Sequence, residues 1–308
     1  MSLDMRKLFF ELMQVSVGQL DCVSRFPEPN EWRKFYELAK SQAVIGICHH
    51  GVIKLFEYGL VAPQELSLDW MSEAEEIKEQ NRGGTRRLIT LQEELQKHHL
   101  RSSVMTGPGL TRFYNRELQS LRYTKGIDVY VFGYKNQIDL NQWADMNVRI
   151  FPELRAGKSS KRNHRFEKWL LQNNDLMFRK AGELVVPSHS ATILIQLVHL
   201  HNLFLEKRLL MRNLMDLFFV IRFAQGNSTV FKFPQNTLEE VIRDLGLTRF
   251  TRGIMWLLKE VFNLDPKFMP FEPLEEEGQY QLGQILGDGF TFHNWWHHLW
   301  HYTWHELM

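Results

Sequence analysis

Val104-Met105-Thr106-Gly107-Pro108-Gly109, with Leu121-Arg122-Tyr123-Thr124-Lys125-Gly126-Ile127-Asp128-Val129-Tyr130-Val131-Phe132 one helix length further on, is the stretch around which this chain is built. It predicts a short apolar strand, a Gly-Pro-Gly turn, a helix over residues 110–121 and an alternating strand ending at Phe132. In that second strand Asp128, Tyr130 and Phe132 fall on one face, and Ile127, Val129 and Val131 on the other. A glycine-bearing turn that opens a helix leaves free backbone N–H groups, which suits a phosphate. Gly107 and Gly109, having no Cβ, are expected to let the backbone approach such an anion closely. A strand carboxylate beside the turn is the usual setting for metal-dependent phosphoryl or nucleotidyl transfer.

Working outward, Asn147-Val148-Arg149-Ile150-Phe151 alternates in the same way, and Leu184-Val185-Val186 is a third candidate strand stopped by Pro187. Together these predict a small mixed sheet with helices over residues 98–187. Helical spacing fills both flanks, 1–97 and 188–308, so the expected class is α+β. On the N-terminal side Trp32, Phe35, Ala39, Val44 and Ile47 form a stripe over one or two helices, and one further helix is expected from Pro63 to His98. On the C-terminal side Ile193, Leu194, Leu197 and Val198 line one helix and Leu210, Leu214, Leu217 and Phe218 the next. Arg212 and Asp216 stand four apart and are expected to pair along that second helix.

The central stretch resembles a bacterial family of uncharacterised nucleotidyltransferases within the DNA polymerase β superfamily. That family reads Lys-Gly-x-(Gly/Ala), then Tyr, then Arg-x-x-Gly-Asp-Ile-Asp. Gly107, Tyr114, Arg122, Ile127 and Asp128 match, and Gly109 falls on the Gly/Ala position. The likeness extends from about residue 80 to 290, through the His199-Leu200 helix, Leu210-Met211-Arg212…Asp216 and the tail from Gly278 to Gly289. It implies a nucleotidyltransferase palm, with Asp128 as catalytic and metal-binding residue. Thr106, Gly107, Gly109, Arg122, Lys125 and Arg149 are then the nucleotide-contacting set, and Mg²⁺ is the cofactor if transfer is retained.

Four positions depart from the family, one of them Lys125 at the motif's glycine. Thr106 stands at the phosphate-contacting lysine, Gly126 at the first strand carboxylate, and Arg149 at the carboxylate of the next strand. Mg²⁺ takes oxygen ligands in near-octahedral geometry, and Asp128 alone of the expected carboxylates is present. Replacement ligands nearby in sequence would be Asp139, Asp145 or Glu153. Strand parity puts Asp128 and Arg149 on the polar faces of their strands, and the resemblance sets these positions across from one another. The Arg149 guanidinium is therefore expected to pair with Asp128 where a metal would otherwise sit.

Composition sets outer limits. A chain of 308 residues, 44% hydrophobic and 24% charged, can bury a large core. A net charge of +1 gives no overall field for nucleic acid, which is not an expected partner. Cys22 and Cys48 form no framework, so a reducing cytoplasm is expected. Asp4 and Glu11 interrupt the N-terminal apolar pattern, which argues against a secretory signal, and no apolar run suggests membrane insertion. The basic run Lys158–Arg165 is expected to be a solvated loop, with contact to phosphates as its alternative. His293, His297, His301 and His305 recur beside Trp296, Trp300 and Trp304, as in an amphipathic helix docked on the core, with Zn²⁺ chelation as the alternative.

Two functions stay open from sequence. One is a degenerate nucleotidyltransferase, a pseudoenzyme that binds a nucleoside triphosphate or a protein partner. The other is an active Mg²⁺-dependent enzyme moving a nucleoside monophosphate to a sugar, small-molecule or protein acceptor.

Overall fold

A computed structural model of the chain describes residues 2–135, 139, 141–224 and 228–287. The histidine- and tryptophan-rich C-terminal segment lies outside these described residues. Helices α1 (Leu3–Ser16), α2 (Pro29–Ser41), α3 (Ile45–Glu57), α4 (Gln64–Asn81) and α5 (Gly84–Lys97) precede strand β1 (Arg101–Val104). Next come α6 (Pro108–Thr111), β2 (Ile127–Phe132), β3 (Val148–Phe151), α7 (Ser160–Gln172), α8 (Asn174–Met177), β4 (Arg179–Ala181) and β5 (Leu184–Val186). The chain closes with α9 (His189–Leu205), α10 (Met211–Arg222), α11 (Leu238–Asp244), α12 (Thr248–Phe262) and α13 (Glu275–Leu286). The α+β class expected from sequence is the one found.

The alternating pattern of residues 127–132 makes β2 the central strand of a three-stranded sheet in the order β1-β2-β3. β1 runs antiparallel to it, pairing Val104 with Val129, while β3 runs parallel and pairs Asp128 with Arg149. Parallel neighbours need a long crossover, here residues 133–147. Ile127, Val129 and Val131 turn to one face and bury against Leu88, Leu91 and Leu95 of α5. Asp128 and Tyr130 are left on the opposite face.

Leu184–Val186 is a strand, but it belongs to a separate hairpin with β4. Leu184 and Val186 share the apolar core under the main sheet, and a side chain adds a polar link. Gln92 on α5 accepts from Val185 N and donates to the carbonyls of Val185 and Ser102, so one amide stands in for a missing strand ladder.

Three expectations are corrected. The span 63–98 is two helices, because Gly83 takes a left-handed φ of 72° between α4 and α5. The span 110–121 is not one helix. After α6 it proceeds by tight turns, Phe113 N to Leu110 O and Tyr114 N to Thr111 O, up to a single 3₁₀ turn at Gln119–Leu121. Adjacent residues there anchor on different partners: Phe113 stacks on His189 and Tyr114 on Phe219, which a one-faced helix does not allow. The basic run is not a loop either. Ser159 caps α7, Arg162 is buried and Arg165 donates to Asp244 O.

The flanking helices share one core. Phe9 and Leu12 of α1 join Phe218 of α10 and Leu258 and Phe262 of α12 in a single apolar cluster. No described helix is long and apolar enough to cross a membrane.

Candidate functional site

The sheet face carrying Asp128 is the floor of a cleft of about 790 Å³ whose opposite wall is α9 and the start of α10. Register puts Arg149 beside Asp128, and the pairing expected from strand parity is present. Arg149 Nε donates to Asp128 Oδ1 at 2.7 Å, and Nη2 lies 2.6 Å from the same oxygen. The aspartate is nearly buried, at 9% side-chain exposure, while the arginine is 48% exposed. Thr106 is turned inward, and its hydroxyl accepts from Asp128 N at 2.8 Å. Gly126 lies against Asn147, whose amide donates to Lys125 O at 2.7 Å.

A second pair seals the inner end of the cleft. Arg122 Nε meets Asp216 Oδ1 at 2.7 Å and Nη2 meets Oδ2 at 2.6 Å, a two-point fork between groups 4% and 2% exposed. Tyr114 donates its hydroxyl to Asp216 Oδ1 at 2.7 Å. Arg122 Nη1 is spent on Tyr123 O and Thr124 Oγ1. Burial opposes the Arg122 charge, but the Asp216 carboxylate more than offsets it and holds the guanidinium pKa above its ordinary value. Burial, with Asp216 beside it, pushes the Tyr114 phenol well up. Tyr114, Arg122 and Asp216, matched by resemblance at widely separated positions, therefore converge on one point.

That convergence corrects the expected Arg212–Asp216 pair. Asp216 is fully engaged elsewhere, and Arg212 donates only a long bond, Nη1 to Tyr123 O at 3.3 Å. Its Nε is buried with no hydrogen-bond partner. Burial, then the Arg122 cation, lowers the Arg212 pKa.

Glycine at 107 and 109 is required by packing. Gly107 sits at φ 59° and ψ −125°, a region reserved for glycine. A Cβ on Gly109 would come within 2.4 Å of Val104 O, so the space beside it is filled by β1. Neither Gly107 nor Gly109 lines the cleft, and α6 spans a single turn. Thr106, Arg122, Lys125, Asp128 and Arg149 do line it.

Four carboxylates line the cleft, and each faces its own arginine: Asp128 with Arg149, Glu153 with Arg155, Glu206 with Arg208, and Asp216 with Arg122. Of the other two replacement candidates, Asp145 is taken by Arg87 and Asp139 accepts from Asn141 N. Mg²⁺ needs several convergent oxygen ligands at about 2.0–2.1 Å. This donor set does not fit it, because the one strand carboxylate is covered by a guanidinium. Two cleft cations, Lys125 and Arg212, have no carboxylate partner among the described residues.

The residues that sequence inspection missed are His199 and Arg212 on the helical wall. A signal existed. Gln196, His199 and Asn202 repeat every third residue along α9, and all three line the cleft. Comparison with known protein families, curated proteins and solved structures finds no match for this chain.

Proposed function

We propose that this chain is a degenerate nucleotidyltransferase, binding a nucleoside triphosphate in the cleft over its sheet without metal-dependent transfer of the nucleotide. The observation that carries this reading is the Arg149 guanidinium on Asp128. It occupies the register position where the resembled family has a second carboxylate, and so supplies fixed positive charge where that chemistry requires a metal. A second cation close by meets repulsion of roughly 4 kcal/mol per unit charge at ~4 Å and an effective dielectric of ~20. The cleft volume is that of a small-molecule site. Its unpaired cations suit a phosphate chain, and Phe151, Phe166 and Leu203 offer apolar surface for a base.

The test is a paired measurement on one preparation. Calorimetric titration with the four common nucleoside triphosphates should give saturable binding to at least one. Pyrophosphate release with Mg²⁺ or Mn²⁺ should not exceed the protein-free rate. Catalytic release would restore the active-enzyme alternative, and absence of binding to all four would remove the nucleotide.

A further inference from the structure

The helical wall of the cleft holds polar groups that the rest of the protein leaves unused. Arg212 brings a guanidinium whose Nε is sealed from solvent and bonded to nothing. The nearest carboxylate on its own helix, Asp216, is consumed by Arg122 and Tyr114. A desolvated cation without a counterion costs free energy unless a ligand supplies one. On α9, one wall residue is His199, which makes no hydrogen bond among the described residues and faces Asp128 and Arg149 across the cleft and Asp216 and Arg212 from α10. An imidazole and a guanidinium edge thus line the same cleft.

We propose that Arg212 and His199 form an anion subsite on the helical wall, taking a phosphate group that carries no divalent metal. Arg212 Nε–H and an imidazole N–H donate to the phosphate oxygens, and Lys125 and the exposed edge of Arg149 flank it from the sheet side. Metal-free binding follows from the charge pattern. Every cleft carboxylate already has an arginine beside it, so a phosphate-bound Mg²⁺ would meet a cation at each. The site therefore inverts the metal dependence of the fold it resembles, with Mg²⁺ competing for the ligand instead of carrying it in. This deepens the nucleotide reading and rests on it only for the remainder of the ligand.

The experiment titrates tripolyphosphate and ATP into the full chain, each with EDTA or with excess Mg²⁺. Both should bind in EDTA, and Mg²⁺ should weaken each about tenfold through loss of ligand charge. Arg212→Gln should lower affinity about a hundredfold, as expected when one partner of a desolvated charge pair is removed. Arg212→Lys should recover part of that loss, and His199→Gln should show a smaller one; melting curves check that each variant is folded. The Mg²⁺ comparison needs no variant, so the proposal is tested even if Arg212→Gln does not fold. Tripolyphosphate binding without ATP binding supports the subsite and removes the nucleotide. ATP binding that tightens with Mg²⁺, or that ignores Arg212, overturns the subsite and leaves the nucleotide standing. If neither ligand binds, both fall.

Discussion

Arg122 and Arg149 each hold an aspartate at 2.6–2.7 Å in the same cleft, yet they are different devices. Arg122 meets both oxygens of Asp216 and is sealed on all sides, with Tyr114 completing the carboxylate's shell. Arg149 meets a single oxygen of Asp128, leaves Oδ2 without a hydrogen bond among the described residues, and is half open to solvent. The first joins α10 to the segment entering β2 and belongs to the fold. The second lies across two strands at the sheet surface, with its guanidinium half open to solvent. Chemical identity of a pair therefore says little about its role; burial and the fate of the leftover donors decide it.

The contrast breaks most visibly at the sealed pair. Asp216→Ala strands the Arg122 cation and the Tyr114 hydroxyl in the interior, and should cost about 3–5 kcal/mol in urea unfolding. A loss below about 1 kcal/mol would mean that water reaches this pair and that the two devices are alike. The double variant Arg122→Met with Asp216→Leu should recover most of the loss, since apolar replacement of a buried pair is often neutral.

Acid should act next, through α9, which walls the cleft. Burial holds the pKa of His199 below its ordinary value and that of His201 down at about 3. The unfolded chain takes up protons below its ordinary imidazole pKa of 6.5 that the folded chain refuses. Stability is therefore complete above pH 6.5 and is lost as pH falls from there towards 3. One such histidine contributes about 1.4 kcal/mol per pH unit, or about 2 kcal/mol between pH 6.5 and 5. His201→Phe, matched to the Phe250 ring that His201 packs on edge, should flatten that slope; an unchanged slope would assign the titration elsewhere.

The open pair gives the smallest stability effect and the largest change in chemistry. Arg149→Gln should cost only about 1 kcal/mol, as expected when the half-exposed partner is removed. Arg149→Glu should cost more without metal, because it sets a second carboxylate beside Asp128. It should also raise Mg²⁺ affinity by adding a second strand carboxylate beside Asp128. Unchanged Mg²⁺ binding in the folded variant would show that Arg149 does not stand in a metal's place.

How far these features could be read in the sequence follows from the range of the contacts behind them. The pairing of Asp128 with Arg149 was legible because strand parity fixes which residues share a face and the resemblance set the two positions across from one another. The pairing of Asp216 was not. Arg212, one helical turn away, is the local choice, whereas the true partner lies 94 residues back. Gly83 and Gly84 announced the break between α4 and α5 in plain view, and the apolar series on either side masked it. The span 110–121 has helical composition, but Phe113 and Tyr114 are drawn to different neighbours, which no local pattern encodes. Gly109 looked like a place for an anion because the absence of a Cβ is the same whether ligand or backbone fills the gap.

The separation of 94 residues has a consequence for how the chain is made. At about 5–20 residues per second, Asp216 is synthesised some 5–20 s after Arg122. Through that interval the segment entering β2 carries an arginine whose only adequate counterion does not yet exist. Helices α1 to α5 can gather beforehand, but the cleft cannot close on its floor until α10 arrives. Any fragment ending before residue 216 would keep Arg122 hydrated and its surroundings loose, a state that chaperones and proteases recognise. Cleft assembly is thereby tied to a late event in synthesis, and a chain cut short in that region is marked as unfinished.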